Sequence, residues 1–174
     1  MTLVYEGQKL NPDTYLELCD FDLTALGGSI YHYTNTMVDF ASALVWQSKI
    51  YQSLPFVIGG ISDSGDGTAP ARPQISISNV NKFLFAALLS VGPLIGATIT
   101  RYRTYRKFLD DGAEANPIMH YPIHIFTFTR KITHTRDVLT YELTSQLDLP
   151  GLVLPALQIL RDNGFPGIGR IRAR

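Results

Sequence analysis

The chain of 174 residues contains one cysteine, Cys19. A single thiol excludes an intrachain disulfide and any metal site built from several cysteines. Charge is also scarce. Asp, Glu, Lys and Arg make up 17% of the residues, where about 25% is usual in a soluble domain. Fifteen bases balance fifteen acids, so no overall field draws the chain to nucleic acid or to an anionic membrane. The first residues do not place a basic stretch before an apolar one, so no secretory leader is expected and synthesis in a reducing cytosol fits. No Gly-x-Ser-x-Gly elbow, phosphate loop or dinucleotide fingerprint occurs. Nothing singles out a pair of carboxylates for acid–base work. The sequence therefore assigns no catalytic, cofactor-binding or metal-binding residue, and the expectation is a protein that is not an enzyme.

Two local patterns invite a metal and fail on spacing. His120 and His124 would share a face on a helix, but Pro122 and the run Ile123, Ile125, Thr127 read as a strand. Four strand residues span about 13 Å, too far for one ion. Asp63-Ser64-Gly65-Asp66-Gly67 lacks the alternating acids and closing glutamate of a calcium loop, and reads as a turn.

What the chain does have is apolar and aromatic residues: 45% hydrophobic, with nine Tyr and nine Phe. These favour strands and surfaces covered by partners. Strands are expected at 15–23, 29–34, 44–46, 50–52, 56–61, 74–79, 97–108, 119–132 and 138–145, about eight in all once short ones merge. The segment 15–23 changes the phase of its apolar positions, from Leu16 and Leu18 to Cys19, Phe21 and Leu23, which suggests a bulge. Residues 44–52 read as a hairpin, as do 119–145 around a turn at 133–137. Residues 62–73 form the long loop. Asn79 is a candidate helix cap, and Val80, Phe83, Leu84, Ala87, Leu88 and Val91 make one helical stripe. The short linkers favour antiparallel neighbours. The expected fold is mainly β (α+β): an antiparallel β-sandwich or barrel with one principal α-helix, near 80–91, packed on it. The domain spans 1–150, and 151–174 is an extension with Pro/Gly turns and a basic end.

The charge is unevenly placed. Residues 1–40 hold six acids against Lys9 alone, a net of −5, and residues 101–136 hold seven bases against three acids, a net of +4. Arg101, Arg103, Arg106 and Lys107, interleaved with Tyr102 and Tyr105, have the residue types of a strand that binds nucleic acid. The neutral whole and the acidic first segment favour pairing with carboxylates, in this chain or a neighbouring one, and no specific nucleic-acid binding is expected. These four residues are candidate interface residues, together with Arg170, Arg172 and Arg174 near the end. Residues 83–99 carry no charge between Lys82 and Arg101. Seventeen residues is the lower limit for a membrane span, and Gly92-Pro93 interrupts the run, so no stable span is expected there.

Several short stretches follow one another in an order that resembles a known family. They are Phe21-Asp22-Leu23-Thr24, Leu26-Gly27-Gly28, Tyr31 and Asn35, then Val45-Trp46-Gln47, Tyr51-Gln52 and Pro55. Gly65, Gly67, Thr68, Arg72-Pro73 and Ser78-Asn79 follow, then the apolar stripe, the basic strand with Arg106-Lys107-Phe108-Leu109-Asp110, and Phe165-Pro166-Gly167. This series resembles the lambda-type minor tail protein L family of tailed bacteriophages. The resemblance implies a fold like that of the phage tail tube and a structural role in the tail tip, or baseplate hub. It implies a homotrimer that joins the distal tail protein ring to the central tail hub. The location implied is the tail tip of the virion, after assembly in the host cytoplasm. A carbohydrate- or receptor-binding β module of the tail tip is the alternative. Lambda-type members also continue into a cysteine-rich segment that resembles an iron–sulfur site. Such a cluster needs four thiolates as a rule, so with Cys19 alone no cofactor is expected here.

Overall fold

The computed structural model describes residues 3–36, 44–61, 72–78, 92–135 and 137–145. The helical stripe at 80–91, the loop with Asp63 and Asp66, and the extension with Arg170, Arg172 and Arg174 lie outside them. The fold is mainly β, as expected. A five-residue helix, α1 (Leu3–Gly7), precedes nine strands. These are β1 (Tyr15–Asp22), β2 (Ile30–Thr34), β3 (Leu44–Trp46), β4 (Lys49–Ser53), β5 (Phe56–Gly59), β6 (Gln74–Ser78), β7 (Thr98–Tyr105), β8 (His124–His134) and β9 (Val138–Ser145).

The strands form one sheet in the order β3-β4-β2-β1-β7-β8-β9-β6-β5. All neighbours are antiparallel except β2 and β4, which run parallel through Tyr33–Gln52 and Thr34–Ser53. Antiparallel neighbours dominate, as expected, and this pair is the exception. A parallel neighbour requires a return connection of about a dozen residues, and residues 35–48 supply it.

The sheet is curled, and its chain connections require this. β4 and β5 stand seven strand spacings apart, about 34 Å if the sheet were flat. Yet only Leu54 and Pro55 join them, a reach of about 11 Å. The seam is hydrogen-bonded where the ends meet. Leu54 donates its backbone N–H to Thr34 O at 2.9 Å, Ser78 to Pro55 O at 2.9 Å, and Phe56 to the side-chain oxygen of Asn35 at 3.2 Å. Of the two architectures expected, a sandwich or a barrel, this is the barrel-like one.

Two apolar cores result. The inner one gathers Phe21, Leu54, Phe56, Ile75, Ile99, Phe128 and their neighbours from strands all round the sheet. The second lies on the opposite face of β1 and holds Leu16, Leu18, Leu44, Trp46, Tyr51 and Leu109, with Tyr102 against it. β1 thus has both faces buried. Cys19 and Phe21 point into one core, Leu16 and Leu18 into the other. This corrects the bulge expected in 15–23: pairing with β7 runs unbroken from Tyr15–Tyr105 to Asp22–Thr98. The apparent phase shift is the signature of a strand between two cores. The irregular pairings fall instead in the β8–β9 hairpin, at Phe128/Arg130 and Lys131/Thr133.

Two further strands are shorter than expected. β7 stops at Tyr105, and Arg106–Phe108 form a single 3-10 turn that inserts Phe108 and then Leu109 into the protein. β8 starts at His124, not Met119. Pro122 has no N–H to give a ladder. Residues before it are held to β7 by isolated bonds, Tyr121 N–H to Arg103 O at 2.9 Å and Thr104 Oγ1 to Met119 O at 2.6 Å. Of the uncharged run 83–99, the described residues 92–99 include Leu94, Ala97 and Ile99, which are fully buried in the inner core. No helix among the described residues is long and apolar enough to cross a membrane.

Candidate assembly interface

The basic strand and the acidic start of the chain meet. β1 lies beside β7, so Glu17 faces the diagonal neighbour Arg101, and the two side chains form an ion pair with 15% and 13% exposure. Arg101 continues the file of β7 that begins with the buried Ile99, and Glu17 continues the file of β1 that holds Cys19 and Phe21, so the inner face turns from apolar to charged along both strands. In the next turn, Lys107 Nζ donates to Glu6 Oε2 at 2.5 Å and lies 3.6 Å from Glu114. Its backbone N–H donates to Asp13 Oδ2 at 2.7 Å. Arg106 pairs with Asp111, donating from Nη2 at 2.7 Å. Three of the four candidate bases therefore have carboxylate partners in their own chain.

Arg103 is different. Its guanidinium lies over the ring of Tyr121 at 5.5 Å, and its Nε is buried without a hydrogen-bond partner among the described residues. Around it stand Tyr15, Tyr105 and Tyr121, with ring centroids 6.0 to 6.3 Å apart and the Tyr105 and Tyr121 hydroxyls at 3.0 Å. That hydrogen bond, with burial, pushes the Tyr105 hydroxyl up to about 12.

The ion pairs set the protonation of their members. Hydrogen bonds from Lys107 and then Lys9 bring Glu6 down from 4.5 to about 2. Glu142 of β9 is held below its ordinary value by Arg72 and Arg130, whose guanidinium nitrogens lie 3.2 and 2.7 Å from its oxygens. Asp20, on β1, accepts from Lys49 Nζ at 2.9 Å and lies 2.8 Å from His32 Nδ1. It ties β1, β2 and β4 together on the side of the second core.

Sequence reasoning missed the device that fixes the 106–112 turn. Gln47 and Ser48 join β3 to β4 with φ of 53° and 60°. Asp110 Oδ1 and Oδ2 accept their backbone N–H groups at 3.1 and 2.8 Å, and Val45 O accepts the N–H of Asp110 at 3.2 Å. Gly112 closes the turn: a Cβ there would lie 2.2 Å from Lys107 O. The positively charged positions drew attention in the sequence. Asp110 stands in the ordered series only as the end of the basic stretch and Gly112 not at all, and only the three-dimensional approach of two distant stretches reveals what they do.

The histidines do not form a metal site. His120 packs on Trp46 and Tyr102 at 5.9 and 6.0 Å, and His124 on Phe126 at 5.9 Å. No group of three or more His, Cys, Asp or Glu placed to hold a metal occurs among the described residues. Nor do the residues fit an iron–sulfur cluster. Cys19 is fully buried in the inner core, and burial pushes its thiol well up, away from the thiolate a cluster needs.

Several residues of the ordered series have structural partners. Asp22 accepts the N–H and hydroxyl of Thr24 at 2.9 and 2.6 Å, opening the turn that Gly27 closes at φ 81°. Asn35 and Pro55 make the seam, Arg72 reaches Glu142, and Val45-Trp46-Gln47 meets Leu109-Asp110. These residues join the ends of the curled sheet and hold its turns. The family model for phage minor tail protein L matches residues 24–165, and the chain belongs to that family of phage tail proteins. It is 31% identical over 93 residues to tail tip protein L of Escherichia phage lambda, a match that covers 53% of this chain and 40% of that protein. The matched segment is thus less than half the length of the lambda protein.

Proposed function

We propose that this chain is a non-enzymatic assembly part of the phage tail tip, a ring of three copies between the distal tail protein ring and the central hub. The observation that carries the reading is the family match over residues 24–165. The name of the lambda relative, a tail tip protein, supports the location in the virion. A symmetry adaptor must offer one surface to its own copies and two unlike surfaces to its neighbours. Low charge suits permanent contacts of that kind. So do apolar side chains left on the outside, among them Tyr5, Leu10, Ile118 and Ile123.

The internal pairing of Arg101 with Glu17 and of Lys107 with Glu6 supports a conduit part that does not grip nucleic acid. Their charge is answered inside the chain, so fewer cations remain for phosphates. Arg103, Arg170, Arg172 and Arg174 remain the candidates for contact with an adjoining chain. The test is the copy number of this chain per purified particle, measured against a tail protein of known stoichiometry. Three copies are expected. Affinity of the isolated chain for glycans, with a copy number set by side fibres, would favour the receptor-binding module instead.

A further inference from the structure

The first residues are attached to the barrel in an inverted manner. α1 buries one side chain, that of Glu6, at 2% exposure, while Val4, Tyr5 and the nearby Leu10 are 63%, 54% and 105% exposed. A short helix ordinarily docks by its apolar stripe. This one docks by a carboxylate. Glu6 Oε2 accepts Lys107 Nζ at 2.5 Å and Lys9 Nζ at 2.7 Å, and Oε1 accepts the Asp13 N–H at 3.3 Å. Asp13 in turn accepts the N–H of Lys107, and Thr14 O accepts that of Arg106 at 2.9 Å. Beneath the segment lie the hydroxyls of Tyr105 and Tyr121, so close that a Cβ on Gly7 would stand 3.0 and 3.4 Å from them. Leu10, Asn11 and Pro12, between α1 and β1, are exposed.

We propose that residues 3–13 are a strap closed by charge, which opens as a unit while the barrel stays folded. Opening removes little apolar surface from contact, so the hydrophobic term that holds the strands together does not hold the strap. The closed state rests on Glu6 and Lys107. Removing Lys107 leaves the buried Glu6 with Lys9 from its own segment, and removing Glu6 leaves Lys107 with Glu114 at 3.6 Å. In either case the tie between the strap and the barrel is lost. An open strap uncovers Lys107 and the Tyr105–Tyr121 pair beside Arg103. The surface available to a neighbouring molecule is then basic and aromatic, where the closed strap presents Val4, Tyr5 and Leu10.

Amide hydrogen exchange on the full chain tests this. In Glu6→Gln and in Lys107→Gln, residues 3–13 are expected to exchange faster by about tenfold or more, with β1 and β7 unchanged. The double variant Glu6→Lys/Lys107→Glu is expected to recover part of the protection. Leu10→Ser, which removes exposed apolar surface only, is expected to leave the strap closed. In the unmodified chain, rising denaturant is expected to release the strap before the strands, a readout that needs no variant. The proposal is overturned if Glu6→Gln leaves residues 3–13 as protected as before, if Leu10→Ser opens them equally, or if strap and strands open together under every condition.

Discussion

Both carboxylate oxygens of Asp110 are taken up by one turn, with Ser48 N–H at 2.8 Å and Gln47 N–H at 3.1 Å. A two-residue hairpin with both residues at positive φ normally calls for Asn-Gly. Gln47 and Ser48 are held there against a side-chain clash of about 1–2 kcal/mol per residue. The carboxylate compensates from outside the hairpin.

Asp110→Ala is therefore expected to lower stability by about 1.5–3 kcal/mol, the range for hydrogen bonds to a charged group. Ser48→Gly, which removes the clash, is expected to recover part of that loss in the double variant. Urea midpoints at constant slope measure both. An unchanged midpoint in Asp110→Ala would show that the hairpin holds its turn unaided.

Gly112→Ala is expected to be worse than its small volume suggests. The added Cβ would meet backbone, Lys107 O at 2.2 Å and Arg106 O at 2.8 Å, not the end of a flexible side chain. Relieving the overlap means moving the turn that carries Lys107 and Asp110. A loss of about 1–3 kcal/mol or more is expected, with weaker protection of the β3–β4 hairpin as the local readout.

Much of the sheet was legible in the sequence. The alternation of Leu139, Tyr141 and Leu143 marks β9, and Val45–Ile50 marks a hairpin, because local pattern and turn chemistry agree there. What local pattern cannot express is a residue buried on both sides of a strand. Leu16, Leu18, Cys19 and Phe21 look like a shifted phase until a second core is known to lie behind β1. Curling of the sheet is implicit in the length of the Leu54-Pro55 link, but only once the strand order is known. α1 escaped notice because Val4 and Tyr5 make no apolar period and its buried residue is an acid. Of the candidate interface, the pairing of acidic start with basic strand was readable from charge alone. Which base meets which acid depended on the β1–β7 register.

The second core offers a separate test. Leu18 is fully buried against Trp46 and its neighbours. Leu18→Ala is expected to cost about 2–5 kcal/mol, seen as a lower urea midpoint. A loss well under 1 kcal/mol would mean that the β3–β4 hairpin does not seal that face.

Glu6 predicts an acid dependence for the strap. Its carboxyl stands near 2 when the strap is closed and at the ordinary 4.5 when it is free. A lowered value means that the contribution is fully present above about pH 4.5 and is lost as pH falls toward and through 2. Carboxyl-resolved NMR titration is expected to give Glu6 a midpoint near 2. A midpoint near 4.5 would mean that Lys107 and Glu6 are not paired in solution.

The central claim, a threefold adaptor in the tail tip, is tested most directly by an image reconstruction of the intact particle at a resolution that traces this chain. The account predicts three copies around the tail axis, in contact with the sixfold distal ring on one side and the hub on the other. Six copies at that level, or a position on a peripheral fibre, would contradict it.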